Sequence, residues 1–123
     1  MTDTIIKRYT VPDIFLKKNK SKIVSLSCYT AQIAKIADKY ADIILVGDSM
    51  GMVIYGQKNT LSVTKQMMIE HGKAVVNSTK KALVVIDLPF GTYENSKKKA
   101  FKVSSEILSK TGASAVKLEG GIE

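Results

Sequence analysis

Short apolar runs and amphipathic stretches alternate along this chain. The runs Ile23–Cys28, Asp42–Val46, Ala82–Ile86 and Ala115–Leu118 are four to six residues long and bounded by turn formers. Runs such as Ile43–Gly47, Leu83–Ile86 and Ala115–Leu118 read as strands buried on both faces, the habit of parallel sheets, and Ile23–Cys28 reads as the strand that precedes them. Between them lie segments with helical spacing. Thr10–Lys18 predicts a short leading helix with Pro12 in its first turn. Thr30–Tyr40 predicts a helix whose apolar side is Ala31, Ile33, Ala34, Ile36 and Ala37. Thr64–Thr79 predicts another: Leu61, Met68 and Val75 recur every seven residues, with Met67, His71 and Ala74 alongside. A last helix runs from an Asn95 N-cap to Thr111 through Ala100, Val103, Ile107 and Leu108, and Gly112 suits its C′ position. Gly47–Val63 reads as a longer connection, with Gly51 and Gly56 allowing turns.

Strand and helix thus alternate at about one unit per 30 to 40 residues, the order of βα units with parallel strands. The chain has 123 residues and shows no low-complexity linker, which predicts one domain over residues 1–123. It ends at Gly120-Gly121-Ile122-Glu123, directly after the fourth strand, with no helix to cover it. A closed (β/α)8 barrel takes about 250 residues, so four βα units would make about half of one, a partial barrel.

Three of the apolar runs end in an acid: Asp48 follows Ile43–Gly47, Asp87 follows Leu83–Ile86, and Glu119 follows Ala115–Leu118. Carboxylates at the C-terminal ends of parallel strands lie on the face where α/β sheets bind ligands. Side chains two apart on a strand share a side, so Lys117 and Glu119 point together. Ser49 beside Asp48, and Asp87 ahead of Leu88-Pro89-Phe90, would line the same mouth. Three carboxylates against one ammonium leave excess negative charge, which a divalent cation would neutralise; oxygen donors favour Mg2+ over Zn2+. The plainer alternative, that such acids cap the helices that follow, is open on spacing alone.

The remaining composition narrows the classes. Hydrophobic content of 45% is that of a globular chain. No run approaches the roughly 18 apolar residues of a membrane span, and Met1–Tyr9 lacks the build of a signal peptide, so a cytoplasmic protein is expected. Cys28 is the single cysteine, which excludes an internal disulfide and reads as a small buried residue. The net charge is +8, but the lysines form separate clusters at 17–22, 80–81 and 97–99 without interleaved aromatics, so nucleic acid is not the expected partner. Gly47, Gly51 and Gly56 do not make a dinucleotide-binding fingerprint. His71 is read as packing on its helix beside Met67, Met68 and Val75.

Three blocks carry a family resemblance: Val46-Gly47-Asp48-Ser49-Met50-Gly51-Met52-Val53, Asp87-Leu88-Pro89-Phe90 and Val116-Lys117-Leu118-Glu119-Gly120-Gly121. With Gly56–Leu61 and Met68–His71 between them, they resemble, in order, the signature blocks of the ketopantoate (3-methyl-2-oxobutanoate) hydroxymethyltransferase family. The resemblance implies a (β/α)8 TIM barrel of the phosphoenolpyruvate/pyruvate type, of which this chain would be the N-terminal half, the first about four βα units. It implies transfer of a hydroxymethyl group from 5,10-methylenetetrahydrofolate to 3-methyl-2-oxobutanoate, on the way to pantothenate. By motif position it implies Asp48, Asp87 and Glu119 around Mg2+, and Asp48, Ser49, Asp87 and Lys117 on the keto acid. It implies a homodecamer. The family's general base is a glutamate of the second barrel half, to which no position here corresponds, so this chain is expected to be inactive by itself. Many members have aspartate where Thr30 follows Tyr29, a tolerated difference. A non-catalytic fragment that binds metal and keto acid, and a carbon–carbon lyase on a related Mg2+ barrel, are the alternatives. Lys97, Lys98 and Lys99 oppose the dipole of their helix; they read as solvated surface or, functionally, as an attractor for an anionic folate.

Overall fold

A computed structural model describes residues 5–120. The elements follow the alternation of the sequence: α1 (Val11–Lys17), β1 (Ser25–Ser27), α2 (Ala31–Ala37), β2 (Ile43–Val46), α3 (Met50–Val53), α4 (Lys65–Asn77), β3 (Leu83–Asp87), α5 (Lys97–Thr111) and β4 (Ala115–Lys117). The four strands form one parallel sheet in the order β1-β2-β3-β4. This is the βα succession of a partial (β/α)8 barrel.

Alternation along the strands divides the sheet into two faces. On one, Ile44, Val46, Val84 and Ile86 have no exposed surface and meet Met68, Ile69, Val75 and Ile107 from the helices. On the other, registered rows Ser25-Ile43-Leu83 and Ser27-Leu45-Val85 lead to the pair Asp87 and Lys117. Ile43, Leu45 and Val85 on that second face are only half-buried. The covered face is the hydrophobic core; the uncovered one corresponds to a barrel interior. Among the described residues no helix is long and apolar enough to cross a membrane.

The helix starts are chemically explicit. Thr10 caps α1 in a reciprocal box with Asp13, and Thr64 accepts from the Met67 amide at the start of α4. The predicted Asn95 cap is displaced by one residue. Ser96 caps α5, its Oγ accepting from Lys99 N at 3.0 Å, because the hydroxyl reaches the third amide of the helix from there. Gly112 ends α5 at φ 75°, and its amide donates to Leu108 O at 2.9 Å.

Three further expectations need correction. The strands are not buried on both faces: β1 is exposed throughout and β4 is half-buried, because among the described residues helices cover one face of the sheet only. On α2, Ala34 and Ala37 face the core, while Ile33 and Ile36 are exposed. The isoleucines precede the alanines by one residue, about 100° around the helix, so one broad stripe cannot bury both rows in a helix of seven residues. The connection Gly47–Val63 contains α3, a single turn too short to show any periodicity.

The segment ahead of β1 is fastened at the N-terminal ends of the strands. Lys17 Nζ lies 2.6 Å from Asp42 Oδ1 and 4.8 Å from the centre of the Tyr9 ring. Tyr9 N donates to Lys81 O at 2.8 Å. At the other side of the molecule, Glu106 of α5 accepts from Lys65 of α4 at 2.6 Å and from Lys110 at 2.8 Å. Hydrogen bonds from Lys110 and then Lys65 hold the Glu106 carboxyl down to about 2. A depressed carboxyl stabilises the fold above its unfolded value and loses that contribution as pH falls through the folded one. Acid titration of Glu106→Gln should therefore show a shallower loss of stability between about pH 4.5 and pH 2 than the parent chain. Parallel acid limbs in the two proteins would refute the bridge.

Candidate functional site

The C-terminal ends of β2, β3 and β4 gather every residue singled out by the acidic run ends. Asp87 is the last residue of β3 and Lys117 the last of β4, and they are direct register partners. Lys117 Nζ lies 2.9 Å from each Asp87 carboxylate oxygen and 3.1 Å from Glu119 Oε1. Lys117 and Glu119 do point together, as strand alternation predicts. Asp87 is almost wholly withdrawn from solvent, whereas Glu119 is exposed. Burial works against the Lys117 charge, but the hydrogen bonds it donates to Asp87 and Glu119 outweigh it and raise its pKa.

Asp48 stands beside this pair at the end of β2, half-buried. Burial and the negative charge of Asp87 push its carboxyl above the ordinary value, against a hydrogen bond from Thr60 and the charge of Lys117. Ser49 faces the same hollow. A methyl group built on Gly47 would stand 3.0 Å from Ser49 Oγ and 3.9 Å from Asp87 Oδ2. The Ser49 hydroxyl is held by the Tyr29 phenol at 2.7 Å.

The donor chemistry suits a hard cation, since all of it is carboxylate oxygen. Its preassembly is incomplete: among the described residues no three acid, histidine or cysteine side chains are gathered as a metal cage. The Lys117 ammonium stands between Asp87 and Glu119 instead. The Asp48 pKa is raised first by burial and then by the charge of Asp87, and a second positive group would relieve both.

Other groups at the mouth escaped the sequence reading. Tyr29 lies two residues beyond β1, as Glu119 lies two beyond β4, so strand-end counting extended to β1 would have found it. Tyr93, in the β3–α5 connection, accepts from Glu119 N at 3.1 Å and had no such signal. His71 is more than a packing residue: Nδ1 is 2.6 Å from the Tyr29 carbonyl oxygen and Nε2 is 2.9 Å from Tyr55 Oη. Cys28 is buried, as expected, and its burial raises the thiol pKa.

The three lysines of the α5 start do not act alike. Lys99 donates to Gly91 O at 2.9 Å and so braces the preceding loop. Lys97 lines an open hollow of about 420 Å³ with Tyr93, Asn95, Leu118 and Glu119.

Residues 8–123 match the model of the family described as ketopantoate hydroxymethyltransferase. Among curated relatives, the 3-methyl-2-oxobutanoate hydroxymethyltransferase of Bartonella tribocorum is 57% identical over 118 residues, 96% of this chain and 44% of that protein. Its namesake from Paramagnetospirillum magneticum is 52% identical over 122 residues, 99% of this chain and 44% of that protein. The chain therefore spans less than half the length of the curated relatives it matches.

Proposed function

This chain belongs to the ketopantoate hydroxymethyltransferase family, and from that premise we propose that its strand-end site binds 3-methyl-2-oxobutanoate together with Mg2+. In the whole enzyme that site would serve hydroxymethyl transfer from 5,10-methylenetetrahydrofolate, giving 2-dehydropantoate. One observation carries the reading: Asp87, Lys117 and Glu119 form a single charged cluster beside Asp48 at the C-terminal ends of parallel strands.

The residues divide the work by chemistry. An α-keto acid presents a carboxylate and a ketone oxygen. Lys117 can give its ammonium to the carboxylate once it leaves Asp87 or Glu119. Ser49 can donate to a substrate oxygen while accepting from the Tyr29 phenol. Asp48 and Asp87, with Glu119, would hold the cation, which supplies Lewis-acid polarisation of the ketone when bound. Loss of the C3 proton then needs a base. Asp87 and Glu119 are tied to Lys117, and we assign that role to none of the residues described. We accordingly propose binding without turnover by this chain alone, with self-association supported by the exposed Ile33, Ile36 and Phe101.

Calorimetric titration with 3-methyl-2-oxobutanoate tests the reading. Heat of binding is expected with Mg2+ present and not after its removal. Asp87→Asn is expected to weaken binding by at least about tenfold, since one charge-assisted contact is worth roughly 1.5–3 kcal/mol. Keto-acid affinity indifferent to both Mg2+ and the substitution would refute it.

A further inference from the structure

His71 is the chain's single histidine and sits mid-way along α4, outside the acidic cluster. Its two ring nitrogens both have partners, on two different connections. A carbonyl oxygen only accepts, so the 2.6 Å contact with Tyr29 O requires a proton on Nδ1. In the neutral ring Nε2 is then bare and accepts from the Tyr55 hydroxyl at 2.9 Å. The Tyr55 ring also meets the imidazole edge-on, at 5.8 Å between centroids and 77° between planes.

The contacts close a circuit. Tyr29 reaches Ser49 through its phenol. Ser49 leads by covalent chain through α3 to Tyr55. Tyr55 returns to His71, and His71 to Tyr29. One imidazole thereby joins the connection after β1, the connection after β2 and helix α4. His71 is itself only half-buried, whereas Met68 and Val75 on the same helix are fully buried, so its two polar contacts and not its packing set it apart.

We propose that His71 is a positioning residue: through the Tyr29 backbone it sets the phenol that orients the Ser49 hydroxyl at the mouth of the sheet. The clamp itself stands on geometry alone. Its meaning for substrate rests on the keto-acid reading above. Small displacements matter here because a hydroxyl aimed at a substrate oxygen loses most of its hydrogen bond when misdirected.

The test begins with the tautomer. Long-range 15N spectra of the whole chain at about pH 8 observe this one imidazole without overlap. Protonated Nδ1 with bare Nε2 is expected; the opposite tautomer overturns the proposal. Two substitutions then separate positioning from packing. His71→Asn offers an amide donor near the place of Nδ1, and His71→Gln near the place of Nε2. His71→Asn should leave the Tyr29 13Cζ and Ser49 13Cβ resonances near their original positions. His71→Gln should move both, and should lower keto-acid affinity roughly fivefold where the loss equals one ordinary hydrogen bond. Equal behaviour of the two variants overturns the proposal. If neither variant folds, the tautomer decides. If the unaltered chain binds no keto acid, the proposed function fails for this chain, while the tautomer and the two resonances still decide the clamp.

Discussion

Replacing Arg8 by methionine is expected to destabilise the chain by about 2–4 kcal/mol, the loss of several hydrogen bonds made by a charged donor. The guanidinium lies where α4 ends and β3 begins. One nitrogen donates to Thr79 Oγ1 at 3.0 Å and Ala82 O at 2.7 Å; the other donates to Val76 O at 3.1 Å and Thr79 O at 2.6 Å. The last carbonyls of a helix have no partner within it, so an outside donor must satisfy them or they must reach water. Here one planar fork serves the helix carbonyl of Val76, which also accepts from Thr79 N at 3.3 Å, and the carbonyls of Thr79 and Ala82 beyond the helix. Positive charge at that end also suits the helix dipole. Methionine keeps much of the apolar stem, so the measurement isolates the head group. Arg8→Lys should rescue little, because an ammonium cannot span the same acceptors in a plane. Urea unfolding of the three proteins is the measurement. A methionine variant within about 0.5 kcal/mol of the parent, the range of an ordinary surface change, would show that the fork is dispensable.

Why Arg8 was invisible in the sequence bears on what was visible. The strands β2 and β3 could be read because Ile43–Val46 and Leu83–Ile86 are uninterrupted apolar runs, one row packed under the helices and the other turned toward the barrel side. The starts of α1, α2 and α4 fell within a residue of the threonines Thr10, Thr30 and Thr64 that precede them. Both features are local. The burial of α2 was misjudged because alanine and isoleucine rows compete for the same side, and tertiary packing chooses. The site divides the same way. Asp48, Asp87, Lys117 and Glu119 could be placed by counting from strand ends, since parallel strands deliver their ends to one face. Contacts that join residues far apart in sequence could not. Arg8 and Ala82 are 74 residues apart, and Tyr29 and His71 are 42 apart. Nothing in the spelling of either segment marks the other. The position of Lys117 between two acids was likewise unread, although its side of the strand was known.

That position of Lys117 gives the second large expectation: Lys117→Met should make the chain depend on a divalent cation for stability. In the parent, the ammonium is the counter-charge of Asp87, whose side chain is 6% exposed. Breaking a buried pair by removing one partner costs about 3–5 kcal/mol, because a charge is left without compensation. The Lys117 side chain is 39% exposed, so solvent screens part of the interaction and about 1–3 kcal/mol is the discounted expectation. The deficit has a definite pH signature. The Asp48 carboxyl is already raised by burial and by Asp87, and Lys117 is among the groups pulling it down. A carboxyl raised on folding weighs against the fold as pH climbs from its unfolded value through the folded one. Without Lys117 that rise grows, so the deficit should be full at neutral pH and shrink on acidification below about pH 4, where carboxyls protonate in both states. Added Mg2+ should raise the melting temperature of the variant more than that of the parent, since a cation that binds only the folded state stabilises it by mass action. In the parent the same oxygens must first be released by Lys117. Equal Mg2+ shifts in parent and variant would show that the ammonium and the cation do not share Asp87 and Glu119. No shift in either would remove the metal from this chain's account altogether.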